Sequence, residues 1–192
     1  LRTLQIDDCT WGCLVDDNFI ASFIEKSDRD KEVIRREFAE RFLNINNRVF
    51  QNNPEDLVIN THVCRGNYAS TWFGQGGYDK IADELFGKED VNAYYLEFDT
   101  ERAGTFESLA KVSGDKKVVL GLITSKNPTL EEKEAVIARI KEASKYVPLD
   151  RLYLSPQCGF ASTEEGNHLT EEQQWAKLRF IKEVADEVWG KN

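Results

Sequence analysis

The sequence has no methionine, and only two histidines, four prolines and four cysteines among 192 residues. Disulfide scaffolds are short and dense in cysteine, so this chain is not one. Its cysteines read as reduced thiols, some of them buried as small hydrophobes. Long hydrophobic runs are missing too. The longest, such as residues 118–122, span five or six residues, against the ~20 needed to cross a bilayer. The opening residues do not read as a secretory signal. Positive charge is in deficit: 25 Lys and Arg face 34 Asp and Glu, for a net charge of −9. That leaves no basic footprint for nucleic acid or for an anionic membrane surface. The expectation is a cytoplasmic protein with neither kind of partner. Linkers, low-complexity tracts and repeats are absent as well, so 192 residues read as a single domain. Leu1 already stands inside a strand-like run, LRTLQIDD, which suggests a piece of something longer.

Five short, continuous apolar runs are present, at residues 3–6, 57–59, 94–96, 118–123 and 152–154. Each is bounded by polar residues, the form of a parallel strand buried on both faces. Helical patterns lie between them. Ser27 or Asp28 can cap a helix with an apolar face of Ile34, Phe38, Phe42, Ile45 and Val49, spaced at one side of a 3.6-residue period. Tyr78, Ile81 and Leu85 mark a shorter helix that stops near Gly87. Thr129 with Glu132 and Thr170 with Gln173 read as capping boxes opening two more. The expected order is strand–helix five times. Taking Asp7, Cys64, Glu97, Thr124 and Cys158 as strand ends, the intervals are 57, 33, 27 and 34 residues. The last three suit a βα unit of about 30 residues; the first carries an insertion. Such alternation gives an open doubly wound sheet or a barrel. A complete eight-unit barrel takes ~250 residues, so five units cannot close one.

Parallel α/β folds put their chemistry at the carboxyl ends of the strands. There the second run ends in His62-Val63-Cys64, whose first and third side chains point the same way. The third ends in Glu97 and the fifth delivers Cys158. One imidazole, two thiols and one carboxylate form a donor set that zinc accepts. Thiolates argue against magnesium or calcium. The plainer reading, a core histidine beside buried cysteines, stays open on spacing alone.

The segments HVCRGNY at 62–68, LEFDTERAG at 96–104, VVLGLITSK at 118–126 and LSPQCGFASTEEGN at 154–167 resemble the cobalamin-independent methionine synthase family. The likeness is to its short, single-barrel, MetE-like members, and it runs along nearly the whole chain. The resemblance implies a (β/α)8 TIM barrel of which these strands are the fourth to eighth. Residues 1–192 would then be the C-terminal portion of a zinc-binding barrel without a second domain. It also implies Zn2+ on His62, Cys64, Glu97 and Cys158, activating the thiol of homocysteine to take a methyl group from a donor such as a methylated folate. Glu97 would loosen as the substrate sulfur arrives, and so would touch the substrate too. Asp7, in QIDD, falls where the family's QIDE aspartate grips the substrate amino group, a catalytic and substrate-binding place.

Two departures bear on the donor. Thr124 stands where full-length members have a histidine, and their amino-terminal folate-binding barrel is not in this chain. A simpler methyl donor, or alkyl transfer to another thiol, remains an alternative; so does a metal-free barrel protein binding a small molecule. Among other residues, Arg65 and Arg102 could hold a substrate carboxylate bidentately. Trp72 and Tyr68 could stack on a pterin-like ring. GQGG at 74–77 is no dinucleotide fingerprint, because Asp79 replaces the third glycine; it reads as a mobile loop over the site. Cys9 and Cys13 read as free thiols, and His168 as a surface residue.

Overall fold

The alternation of apolar runs and helical patterns resolves, in the computed structural model, into one parallel sheet; the structure describes residues 1–24 and 28–190. Its strands are β1 Thr3–Asp8, β2 Val58–Val63, β3 Ala93–Glu97, β4 Lys117–Ile123 and β5 Leu152–Pro156. Their spatial order is their chain order. A doubly wound sheet reverses its order at a switch point. Sequential winding in one direction is that of a barrel wall.

The two faces of the sheet differ in chemistry. Ile59, Val63, Tyr94, Leu96, Leu120 and Leu152 join the helices in one apolar core. The alternate residues form polar rows across the strands: Gln5 beside Asn60, Asp7 beside His62, His62 beside Tyr95. Burial on both faces, expected of every strand, holds for β2 and β4. It fails at the edges, where β1 exposes every second residue from Thr3 to Asp7 and β5 is half-covered. Each edge strand lacks a neighbour on one side.

Between β1 and β2 lie three helices, α1 Thr10–Leu14, α2 Asp17–Ile24 and α3 Lys31–Val49. Of the two caps expected for α3, Ser27 lies outside the described residues and Asp28 is not used. Asp30 is the cap, its carboxylate accepting from the N–H groups of Glu32 and Val33. The expected face of α3 holds at Ile34, which is buried, and at Phe38 and Phe42, which pack against the core, but not at its C-terminal end. Ile34, Arg35, Ala39 and Leu43 face inward, whereas Ile45 and Val49 are exposed. Polar residues hold it there. Arg35 donates to the Leu14 carbonyl and to Asp17, and Asn46 donates to Asp8 and Glu89.

A 3-10 turn, Tyr78–Ile81, leads into α4 Ala82–Lys88 with Tyr78, Ile81 and Leu85 buried. The fivefold strand–helix order breaks after β3, where only 3-10 turns, Glu101–Ala103 and Phe106–Lys111, connect to β4. The helix α5 is Lys133–Ala143, and the expected Thr129 box is absent. The Thr129 carbonyl instead accepts from the buried Lys177 ammonium at 2.6 Å. The box expected at Thr170 and Gln173 is present and opens α6 Glu171–Trp189. No described helix is long and apolar enough to cross a membrane.

Candidate metal centre

The polar rows converge at the carboxyl end of the sheet. There the ligating atoms of His62, Cys64, Glu97 and Cys158 all lie within 4.8 Å of one another. Three strand ends supply them, as parallel pairing dictates: His62 on β2, with Cys64 just beyond it, Glu97 closing β3, and Cys158 two residues past β5. The Cys64 and Cys158 sulfurs are 3.9 Å apart. Nε2 of His62 is 3.9 Å from Glu97 Oε1 and 4.0 Å from Asp7 Oδ1.

Each donor is held from behind. Nδ1 of His62 sits 3.2 Å from the Tyr95 carbonyl, so it carries the proton and leaves the Nε2 lone pair facing the cluster. That Nε2 atom is buried and has no hydrogen-bond partner among the described residues. Glu97 is fully buried. Its Oε1 accepts from the Arg65 main-chain N–H at 2.8 Å and its Oε2 from the Arg102 guanidinium at 2.7 Å. Arg102 also donates to Asp99 at 2.8 Å. Cys158 begins a loop fixed by an amide network. Asn67 donates to the Gly159 carbonyl and to Ser162, both at 2.7 Å, and accepts from Lys126 and Asn167.

The electrostatics follow from this crowding. The two thiols shift one another in opposite directions. Cys158 is lowered because the Cys64 thiol donates to it and His62 lies alongside. Cys64 is raised by the same contact and by burial. Burial works against a charged His62, but the Cys158 thiolate and the carboxylates of Glu97 and Asp7 outweigh it and raise the imidazole. Burial lifts Glu97 despite Arg102, and lifts Asp7 despite His62. An unpartnered imidazole nitrogen, a thiol–thiolate pair and a buried carboxylate converging on one point fit a soft divalent cation such as zinc.

The other expected residues scatter around this centre. Asp7 lies beside it with its side chain 64% exposed. Arg65 touches it only through its main chain. Its guanidinium lies 4.3 Å from the Tyr78 ring centroid and donates to the Gly76 carbonyl at 2.6 Å. Its Nη2 is buried without a hydrogen-bond partner among the described residues. Trp72 covers Arg102, 5.2 Å from ring centroid to guanidinium carbon. Tyr68 is exposed and donates to Glu165. Thr124 donates its N–H to Glu131 and its hydroxyl accepts from the Lys126 N–H. His168 is exposed and bonds Ser70 through its main chain.

The loop at 74–77 is tied to the segments at two of the ligand-bearing strand ends. Gly74 and Gly76 donate to the carbonyls of Arg65 and Arg102. Gly76 has φ +138, and a Cβ there would fall 2.2 Å from the Val15 carbonyl oxygen. Sequence reasoning also missed the place of Cys9. Its sulfur lies with Asp7 and Cys64 in a second group of donors within 4.8 Å of one another. The β1–β2 register, which pairs Asp8 with Val63, puts Cys9 next to Cys64; spacing alone does not reveal that.

Residues 15–187 match the family model described as the catalytic domain of cobalamin-independent synthase. The chain belongs to this family. Within it, the Bacillus subtilis (strain 168) protein YxjG, described as uncharacterized, is 47% identical over 189 residues, covering 98% of this chain and 49% of its own length. A Pyrococcus horikoshii methionine synthase is 28% identical over 103 residues, 54% of this chain and 27% of that protein. A Listeria monocytogenes crystal structure, described as a candidate vitamin-B12-independent methionine synthase, superposes with a TM-score of 0.71 at 38% identity. It matches 99% of this chain and 49% of that one. A B12-independent methionine synthase from Shewanella sp. W3-18-1, in complex with selenomethionine, gives 0.67 at 20% identity, covering 98% of this chain and 49% of that one; this last likeness shows the fold. The five-stranded parallel sheet is thus that of the family's TIM-barrel catalytic domain. The chain spans about half the length of YxjG and of both solved structures.

Proposed function

We propose that this chain carries the metal centre and part of the acceptor pocket of a zinc-dependent methyltransferase, which methylates the thiol of homocysteine to give methionine. Its activity would resemble that of a 5-methyltetrahydropteroyltriglutamate–homocysteine S-methyltransferase. On this reading β1 to β5 are the fourth to eighth strands of the barrel, and residues 1–192 are its C-terminal portion. The reaction belongs in the cytoplasm, where thiols stay reduced.

One observation carries the reading: four donors of zinc-binding type within 4.8 Å, with the buried His62 Nε2 facing them and bonded to nothing else. Zinc held by His62, Cys64, Glu97 and Cys158 would keep an acceptor thiol deprotonated at neutral pH, the nucleophilic form. The chain's own residues prepare the rest. The Tyr95 carbonyl fixes the His62 tautomer. Arg65 and Arg102 each hold one oxygen of Glu97, so the carboxylate has a place to stay when it yields to the substrate sulfur. Asp7 stands at the rim, where a carboxylate would meet the amino group of homocysteine. Trp72 walls the side above Arg102 and would border the substrates. In the transfer, the acceptor's sulfur–methyl bond forms as the donor's methyl bond breaks, and the leaving group takes up a proton. The donor is a methylated folate or a smaller methyl carrier.

Elemental analysis of chelator-free protein tests the reading. About one equivalent of zinc is expected in the wild type, and less than about half in Cys158→Ser. Full zinc retention in Cys158→Ser overturns the four-donor assignment. Trials of homocysteine with methylated folates and with small methyl donors then identify the donor.

A further inference from the structure

We propose that Asp7, Cys9 and Cys64 form a second, outward-facing cation site that captures a soft divalent ion and passes it inward through Cys64, the one donor common to both groups. The proposal rests on reading the inner group as a metal centre.

The outer group is built by the fold. Its three ligating atoms lie within 4.8 Å of one another, with Asp7 and Cys9 exposed and Cys64 buried. Asp8 pairs with Val63 in the β1–β2 register, and the Cys64 N–H donates to the Asp8 carbonyl at 3.2 Å, which sets Cys9 alongside Cys64. The helix that Cys9 caps is pressed onto the same backbone. A Cβ at Gly12 would sit 2.1 Å from the Cys64 carbonyl oxygen. A separate observation points inward from this site. The His62 side chain is nine-tenths buried, its Nε2 has no hydrogen-bond partner, and that atom lies 4.0 Å from Asp7 Oδ1.

Two thiols and a carboxylate favour zinc or cadmium over magnesium or calcium. Three protein donors leave a coordination position to water, so exchange there is fast; four close the site. A hydrated ion reaching the buried group directly would shed its water before gaining protein donors. Capture at the surface avoids this. The bonds to Asp7 and Cys9 break as bonds to His62, Glu97 and Cys158 form, while the Cys64 sulfur stays bound. Thiol protons are released to solvent on binding, and nothing is oxidised or reduced.

The test delivers Zn2+ from a chromophoric chelator to the metal-free full chain and follows its transfer by stopped-flow absorbance. Equilibrium zinc content is measured in parallel. Cys9→Ser and Cys9→Ala are expected to bind as much zinc as wild type at equilibrium but to load about tenfold more slowly. Cys13→Ser, which removes a neighbouring thiol outside both groups, should load at the wild-type rate. Cys158→Ser should keep weak zinc binding that disappears when Cys9→Ser is added. Wild-type loading rates in both Cys9 variants would overturn the relay alone, as would an equal slowing in Cys13→Ser. A wild-type protein that takes up no zinc would overturn both the relay and the proposed function.

Discussion

The Arg102 guanidinium meets Oε2 of Glu97 at 2.7 Å, and the two side chains are 5% and 0% exposed. A buried carboxylate lacking that partner is an uncompensated charge. Breaking such a pair costs about 3–5 kcal/mol. Arg102→Met, which keeps much of the volume, should therefore lower unfolding stability by about that amount in the metal-free protein. Added zinc should restore part of it by returning a countercharge to Glu97. Urea titrations with and without zinc read both effects. A loss under about 1 kcal/mol would mean that Glu97 does not stay charged and dry without Arg102, but takes up a proton or meets solvent.

Glu89 makes a pH-dependent contribution. It is fully buried between Trp11 and Asn46, which donate to its Oε1. Burial lifts its pKa from 4.5 to about 7, with Asp8 adding to the rise and Lys116 opposing it. The folded state thus holds a proton that the unfolded chain releases. Stability from the neutral acid is complete below the unfolded value of 4.5 and fades as pH rises through about 7. The span is worth ~3 kcal/mol. Glu89→Gln should flatten that decline between acidic and mildly alkaline pH. Glu97 and Asp7, also raised, keep some slope in the variant. Urea midpoints across that range decide it; parallel curves for wild type and variant would refute the assignment.

Gly12 and Gly87 should respond oppositely to alanine. At Gly12 the new methyl meets the Cys64 carbonyl oxygen at 2.1 Å, whereas at Gly87 nothing lies within 4 Å. Gly12→Ala should cost about 1–3 kcal/mol and weaken zinc binding, because the displaced backbone carries a donor. Gly87→Ala, in α4, should gain up to about 1 kcal/mol. Thermal melts of the pair check the contrast.

Asn67 ties the Cys158 loop to the Lys126 ammonium. Asn67→Ala leaves that ammonium with the Gly66 carbonyl, at 3.2 Å, as its remaining partner. It also frees Gly159 and Ser162 from the side chain that held them. Limited proteolysis should cut the variant within residues 158–168 at least several-fold faster than wild type. Unchanged cleavage would show that Asn167 and Ser125 hold the loop without it.

Much of this was legible in the sequence because parallel strands announce themselves. Apolar runs ending in Asp7, Glu97 or the His62-Val63-Cys64 triplet locate strand ends to within a residue or two, and the ends are where the donors are. What escaped notice depends on pairing and on polar burial. Cys9 gains meaning only from register. The α3 face departs from its apolar period at Ile45 and Val49, because there Asn46 turns inward to bond, which no such period reports. Arg65 was read by its charge, whereas its main-chain N–H is the part that meets Glu97. Asp30 rather than Asp28 caps α3 because only its carboxylate reaches the first-turn N–H groups.

The sheet repeats the order of the chain, and that sets a sequence in time as well as in space. During synthesis each strand can dock on the one already made, without waiting for a distant partner. Cys9 and Cys64 directly follow β1 and β2, whereas Cys158 comes after β5. A growing chain therefore presents Cys9 and Cys64 together well before Cys158 is made.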